Sequence, residues 1–459
     1  MHKYIIYFLL VIFLLLSCSK KVTQPEPEPE PIDLLLRIQA LPGVEAIEIA
    51  PLGEFVRAFE IDMDVPLDHN NPTGVQITHK VYLSHIDTLL PMSMKITGYK
   101  ASRNVTGEVA NILNCNQIYI GQRYMSESTR PNPIDWQYLS MEQSAADHHH
   151  LVNLFKQIYK GKWINSGVSK GGTSAMTHTR FYPDDIDVTI TKVAPVCLAP
   201  EDDRLTSFLV NEAGNETCRN MLKQFQIQVL QNKNDIIPLI SNFISQSDLT
   251  FSMNHEQILE YGILEYPHAY WQYGSSTCED VPGAGASAQA MFDHLIVVND
   301  LDYYSDNWHD YYAPVFYQFF TDYGYYGFIT EHLDSLLTQE RYSNDFMAPS
   351  GVELVFDYTV MADILNWLQT EGNNIIYIYG ARDTWTAAAV ELTGATNAIR
   401  IDEPNADHSV QITGLTRRQE VYDSLESWLG IEIDANAMLK LVPPEMTPRN
   451  RFNDDADIY

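Results

Sequence analysis

Cations are scarce in this sequence: 29 lysines and arginines stand against 60 aspartates and glutamates, a formal charge of −31. So acidic a surface repels phosphate backbones and anionic lipid heads, which argues against nucleic acid as a partner and against electrostatic adhesion to membranes. It draws cationic ligands such as peptide N-termini, though a merely solvated acidic face accounts for the same balance. Long apolar runs are scarce as well. The run Ile5 to Leu16 is too short to span a bilayer. There are only five cysteines, with no C-x-x-C pair, and no H-E-x-x-H occurs, so nothing proposes a zinc site, and neither metal nor cofactor is expected. The triplet His148-His149-His150 does not change this, because consecutive helical residues point about 100° apart and cannot form one metal face. What remains is a body with 45% hydrophobic, 11% aromatic and 19% charged residues, the composition of a folded chain. Its 459 residues have room for two or three domains, or for one domain carrying an insertion.

Residues 1–18 read as a targeting segment, with Lys3 as its positive end and Leu15-Leu16-Ser17-Cys18 closing it. The close resembles a bacterial lipoprotein signal, which implies cleavage before Cys18, lipidation of its thiol, and export to a cell envelope with a lipid anchor as the sole membrane attachment. An ordinary signal peptide or an inserted helix is the alternative. Residues 19–32, ending in alternating proline and glutamate from Pro25 to Pro31, form an extended tether. Cys115, Cys197, Cys218 and Cys278 then remain in an exported body; they permit two disulfides in three connectivities, or four buried thiols.

The organising stretch is Trp163-Ile164-Asn165-Ser166-Gly167-Val168-Ser169-Lys170-Gly171-Gly172. An apolar strand runs into G-x-S-x-G and then into a helix-compatible run, Thr173 to Tyr182, the pattern of a nucleophile elbow with an exposed serine. Alone the pattern is weak, since a chain this long yields roughly 0.1 to 0.2 chance matches. Context strengthens it. Alternating or buried strand patterns occur at 59–63, 80–83, 91–96, 117–120, 188–193, 374–379 and 398–401, and a helical pattern at 138–159 precedes the elbow strand. From about Pro200 to Tyr358 strands largely vanish, helical patterns dominate, and Tyr303-Tyr304, Trp308, Tyr311-Tyr312 and 323–328 are unusually aromatic, for core packing or for a substrate pocket. The expected architecture is an α/β-hydrolase core, residues 33–199 and 359–442, interrupted by a mainly helical cap, 200–358, and followed by a polar tail, 443–459.

A serine hydroxyl becomes a nucleophile only when a base takes its proton, and an imidazole serves only when an acid fixes its tautomer. In this fold the partners follow the serine in the order acid, then histidine. His408 is the one histidine after Asp383, and Asp383 lies just past a strand end; Asp402 and Asp407 are rival acids, the latter poorly placed beside the histidine. The oxyanion donors expected are the backbone N–H of Lys170 and that of Tyr99, in the Gly98-Tyr99 loop after a strand.

These residues carry a resemblance. The elbow Gly167 to Gly172 with Arg180-Phe181-Tyr182-Pro183-Asp184-Asp185, the segments 138–140 and 142–149, the turn Pro66 to Pro72, and Gly380-Ala381-Arg382-Asp383-Thr384-Trp385 resemble the secreted prolyl tri- and tetrapeptidyl aminopeptidases, relatives of prolyl carboxypeptidase and dipeptidyl peptidase II. The resemblance implies Ser169 as nucleophile, Asp383 as acid, His408 as base, Trp385 beside the substrate, and release of short peptides from free N-termini, often after proline. The family's acid loop usually reads Asp-Pro-Trp, and Thr384 departs from it. Peptides with a free N-terminus are the expected partners, and Glu127 or Glu142 is the expected partner of their amine. The alternatives are a lipase or esterase with the same triad, and a catalytically silent surface protein that binds peptide or glycan.

Overall fold

The computed structural model describes residues 33–433. The expected signal segment, Cys18, the tether and the polar tail 443–459 lie outside them. Nine strands, β1 Val44–Ile49, β2 Arg57–Pro66, β3 Gln76–His85, β4 Met92–Ile96, β5 Asn116–Ile120, β6 Trp163–Val168, β7 Val188–Lys192, β8 Ile375–Gly380 and β9 Ile399–Glu403, form one sheet. Their order is β1-β2-β3-β5-β4-β6-β7-β8-β9. The first three pair antiparallel, β3 pairs antiparallel with β5, and everything from β5 to β9 is parallel. This is an α/β-hydrolase core. The central parallel strands are buried because helices cover both faces: all six residues of β8, Ile-Ile-Tyr-Ile-Tyr-Gly, are buried.

Strand β1 was not expected. Its sequence, Val-Glu-Ala-Ile-Glu-Ile, buries only Val44 and Ala46 and pairs on one side alone, with Val44 opposite Met63. Elsewhere the expected strands are present to within a few residues, and the helix before the elbow runs Met141–Phe155.

Between β7 and β8 the described chain holds no strand. Besides the helix Tyr358–Thr370, which packs on the sheet, it is built from helices Asp203–Asn211, Glu216–Gln231, Lys233–Gln246, His255–Tyr273, Ala288–Val298 and Asp306–Gln318. These gather a core of their own around Phe225, Leu264, Tyr266 and Leu295. One disulfide closes here, Cys218–Cys278, while Cys115 and Cys197 are buried thiols, so the cysteines divide between the two expectations. A loop of 60 residues closed in this way restricts the unfolded chain by about 4 kcal/mol in the chain-entropy picture. Burial pushes the Cys115 thiol up to about 12 and the Cys197 thiol further, which keeps both protonated.

Two of the sequence segments singled out above meet at Asp147, on the helix before the elbow. Its carboxylate takes a two-pronged bond from Arg123, at 2.6 and 2.8 Å, and bonds from His69 at 2.8 Å and His79 at 2.9 Å. Burial alone would raise this carboxyl, but Arg123 and His79 hold it well below the usual carboxylate range. The turn Pro66–Pro72 is thereby tied to the helix that supports the elbow. The neighbouring histidines go elsewhere: His149 bonds Asp185 at 2.7 Å, and His148 packs edge-on against His178.

Candidate active site

The elbow is made by close approach. Strand β6 ends at Val168, the helix Lys170–Phe181 begins two residues later, and Ser169 between them holds φ 54° and ψ −129°. That conformation is costly for any residue with a side chain, and the surroundings enforce it. A Cβ on Gly167 would lie 2.2 Å from the Gly171 backbone, and one on Gly171 would lie 2.3 Å from the Ile96 carbonyl oxygen. The Ser169 N–H is taken by the Lys192 carbonyl of β7 at 2.8 Å, so it points away from any substrate. Lys170 is the first residue of the helix, where an N–H has no acceptor within the helix, and the turn Thr97-Gly98-Tyr99 after β4 presses against it. Both expected oxyanion residues therefore flank the serine.

The structure brings the other two together. Asp383 follows β8 and His408 follows β9, both past the C-terminal edge of the parallel strands. His408 Nδ1 lies 2.6 Å from Asp383 Oδ2, and both residues are buried. The second oxygen of Asp383 accepts the Trp385 N–H at 3.3 Å. Burial pushes the Asp383 carboxyl up, while His408 and the Trp385 N–H pull it back. The rivals are occupied: Asp402 pairs with Arg400 at 2.9 Å, and Asp407 accepts the Ser409 N–H at 2.9 Å. Ser169 and His408 open into one cavity of about 100 Å³, together with Tyr99, Gln272, Tyr273 and Tyr312.

Several residues at this site were not legible in the sequence. The Tyr99 side chain lines the cavity beside Ser169, so Tyr99 contributes more than a backbone group. The Lys170 side chain turns into the protein, where its Nζ donates to Gln318 Oε1 at 2.8 Å beside Asp322. Burial pushes this ammonium down to about 7 and the Asp322 carboxyl up to about 7. Asp322 in turn accepts the Met141 N–H at 2.7 Å. Gln318 and Asp322 belong to the end of the last inserted helix and its π-helical turn Phe319–Tyr323, so the elbow lysine fastens the insert to the core. The aromatic residues divide: Tyr312 lines the cavity, while Tyr304 and Tyr323 are packed inside. Trp385 is buried against Tyr325 and Tyr326, with ring centroids 5.4 and 5.3 Å away. Glu127 and Glu142, expected near the amine, are both exposed on the surface and are not among the residues that line the cavity. The reason is local: each opens the first turn of a helix, where an acidic side chain faces water.

The sequence pattern of the PS-10 peptidase S37 family matches residues 27–454. The chain belongs to this family. It is 27% identical over 423 residues to a prolyl tri/tetrapeptidyl aminopeptidase of Streptomyces mobaraensis, covering 90% of this chain and 87% of that protein. Among solved structures it is similar to a proline iminopeptidase of Mycobacterium smegmatis, at 13% identity and a TM-score of 0.39, over 80% of this chain and 97% of the other. It is also similar to acetyl xylan esterase 1 of a Thermoanaerobacterium species, at 9% identity and a TM-score of 0.38, over 86% and 91%. Overlaps as loose as these two say nothing about activity. Family membership does: this is a serine hydrolase that acts on peptides.

Proposed function

We propose that the chain releases short peptides from free N-termini, with a preference for proline before the scissile bond, through a Ser169–His408–Asp383 acyl-enzyme mechanism. The observation that carries the reading is the buried Asp383–His408 bond of 2.6 Å, with His408 and Ser169 on one cavity wall. With Nδ1–H held by Asp383, Nε2 of His408 takes the Ser169 proton as Oγ attacks the scissile carbonyl carbon. The oxyanion is received by the N–H groups of Lys170 and Tyr99. Collapse breaks the C–N bond, His408 returns the proton to the leaving amine, and water then repeats the sequence on the acyl-enzyme to free the N-terminal fragment. Tripeptide or tetrapeptide length and the proline preference rest on the likeness to the Streptomyces aminopeptidase.

Export and attachment through a lipidated Cys18 belong to the same proposal, supported by the segment Lys3 to Cys18. The test of function is product analysis by mass spectrometry. Free peptides with proline at the third or fourth position yield tri- or tetrapeptides, their N-acetylated forms react far more slowly, and Ser169→Ala abolishes both reactions. Equal cleavage of free and blocked peptides, or turnover confined to acyl esters, rejects the reading.

A further inference from the structure

The helix His255–Tyr273 reaches the cavity with its last turn, through Gln272 and Tyr273. Glu265 stands seven and eight positions earlier, on the same helical face, so a rise of 1.5 Å per residue sets it about 11 Å further along the axis. The side chain is almost fully enclosed, with the residue 9% exposed. Its side-chain partner among the described residues is the Tyr326 hydroxyl, which donates to its two oxygens at 2.8 and 2.9 Å; no lysine, arginine or histidine pairs with it. Burial pushes its carboxyl up to about 8. An acid enclosed without a counter-charge is costly to the fold, and Lys, Arg or a structural partner ordinarily relieves such a site.

Its surroundings are aromatic. The Tyr325 hydroxyl donates to that of Tyr326 at 3.1 Å, and Trp385 packs on both rings. Burial pushes the phenols of Tyr303, Tyr304, Tyr325 and Tyr326 well up, and the Glu265 charge pushes them the same way. Tyr325 and Tyr326 belong to one packed cluster against which Tyr99, Tyr303 and Tyr312 lie, with the Tyr312 ring 5.8 Å from that of Tyr303 and 6.2 Å from that of Tyr99, and Tyr99 and Tyr312 line the cavity with Ser169. One tyrosine wall thus runs from Glu265 to the nucleophile. A carboxylate set among tyrosine rings is suited to an ammonium ion, which both features attract.

We propose that Glu265 receives the α-ammonium of the peptide substrate, and that its two-turn offset from the cavity sets the released length at about three residues. This rests on the aminopeptidase reading above. An extended chain advances about 3.3 to 3.6 Å per residue, so three residues span about 10 Å between the amine and the scissile carbonyl, close to the offset along the helix. The test compares wild type with Glu265→Gln on free and N-acetylated peptides releasing one to five residues, with a short acyl ester as a probe that carries no amine. The variant keeps an acceptor for Tyr326. Expected are unchanged ester turnover, a fall of about 30-fold or more in kcat/KM for the free tripeptide substrate, carried mainly by KM, and loss of the preference for free over acetylated substrates. A variant that keeps that preference overturns this inference and leaves the peptidase reading standing. A wild type that ignores acetylation overturns both. The wild-type length series needs no variant, and an optimum at one or two residues also overturns the inference.

Discussion

Ser169 sits in a backbone region that costs a residue with a side chain about 1 to 3 kcal/mol, and its neighbours hold it there. Gly167, Gly171 and Gly98 leave the space in which the β6 turn, the following helix and the β4 loop touch backbone to backbone; a Cβ on Gly98 would meet the Gly171 nitrogen at 2.5 Å. In the proposed mechanism the imidazole depends on Asp383 for its tautomer. Asp383→Asn preserves shape but offers an N–H where Nδ1–H must donate, so kcat on peptide or ester substrates should fall about ten-thousandfold with little change in KM. A fall of less than about tenfold would remove Asp383 from the acid's role. The placement of Ser169, Asp383 and His408 at strand ends was legible because strand ends and chain order are written in the sequence. Glu265, Gln318 and Asp322 were not, since an acid's burial depends on what folds over it, and Glu127 and Glu142 show that proximity in sequence to a site is no guide.

Two of the joints between the insert and the core adjoin Ser169 and His408. One is the His408 N–H, which donates to the Gln272 carbonyl at 2.9 Å and so ties the base's loop to the helix His255–Tyr273. The other is Lys170 with Gln318 and Asp322. Asp322 titrates near 7 in the fold against 3.8 as its ordinary value, so the folded state binds more protons in that interval and stability is lost as pH rises through it. Asp322→Asn removes this slope: melting temperatures of wild type and variant should converge near pH 4 and separate in the variant's favour toward pH 7. Parallel curves across that range would contradict the buried neutral acid. At this scale the parallel strands and inserted helices were readable from period and composition, whereas β1 was hidden. Glu45 and Glu48 alternate with small or exposed apolar residues, and an edge strand paired on one side buries too little to leave a pattern.

Across the whole molecule the acidic balance and the enclosed carboxylate point the same way. A chain of formal charge −31 draws cationic peptide ends toward itself, and an unpaired acid within the aromatic wall gives one such end a place to stop. The sheet gathers its loops at one edge, so elements as far apart in sequence as Thr97 and His408 reach one cavity. Of the four cysteines among the described residues, a pair sixty residues apart bridges the insert, a choice that only three-dimensional distance could make. The most direct measurement of the central claim is reaction of the full chain with a fluorophosphonate, followed by peptide mapping. One adduct per molecule on Ser169, absent in Ser169→Ala and strongly slowed in His408→Ala, is the predicted result. An adduct on another residue, or labelling that survives Ser169→Ala, would contradict it.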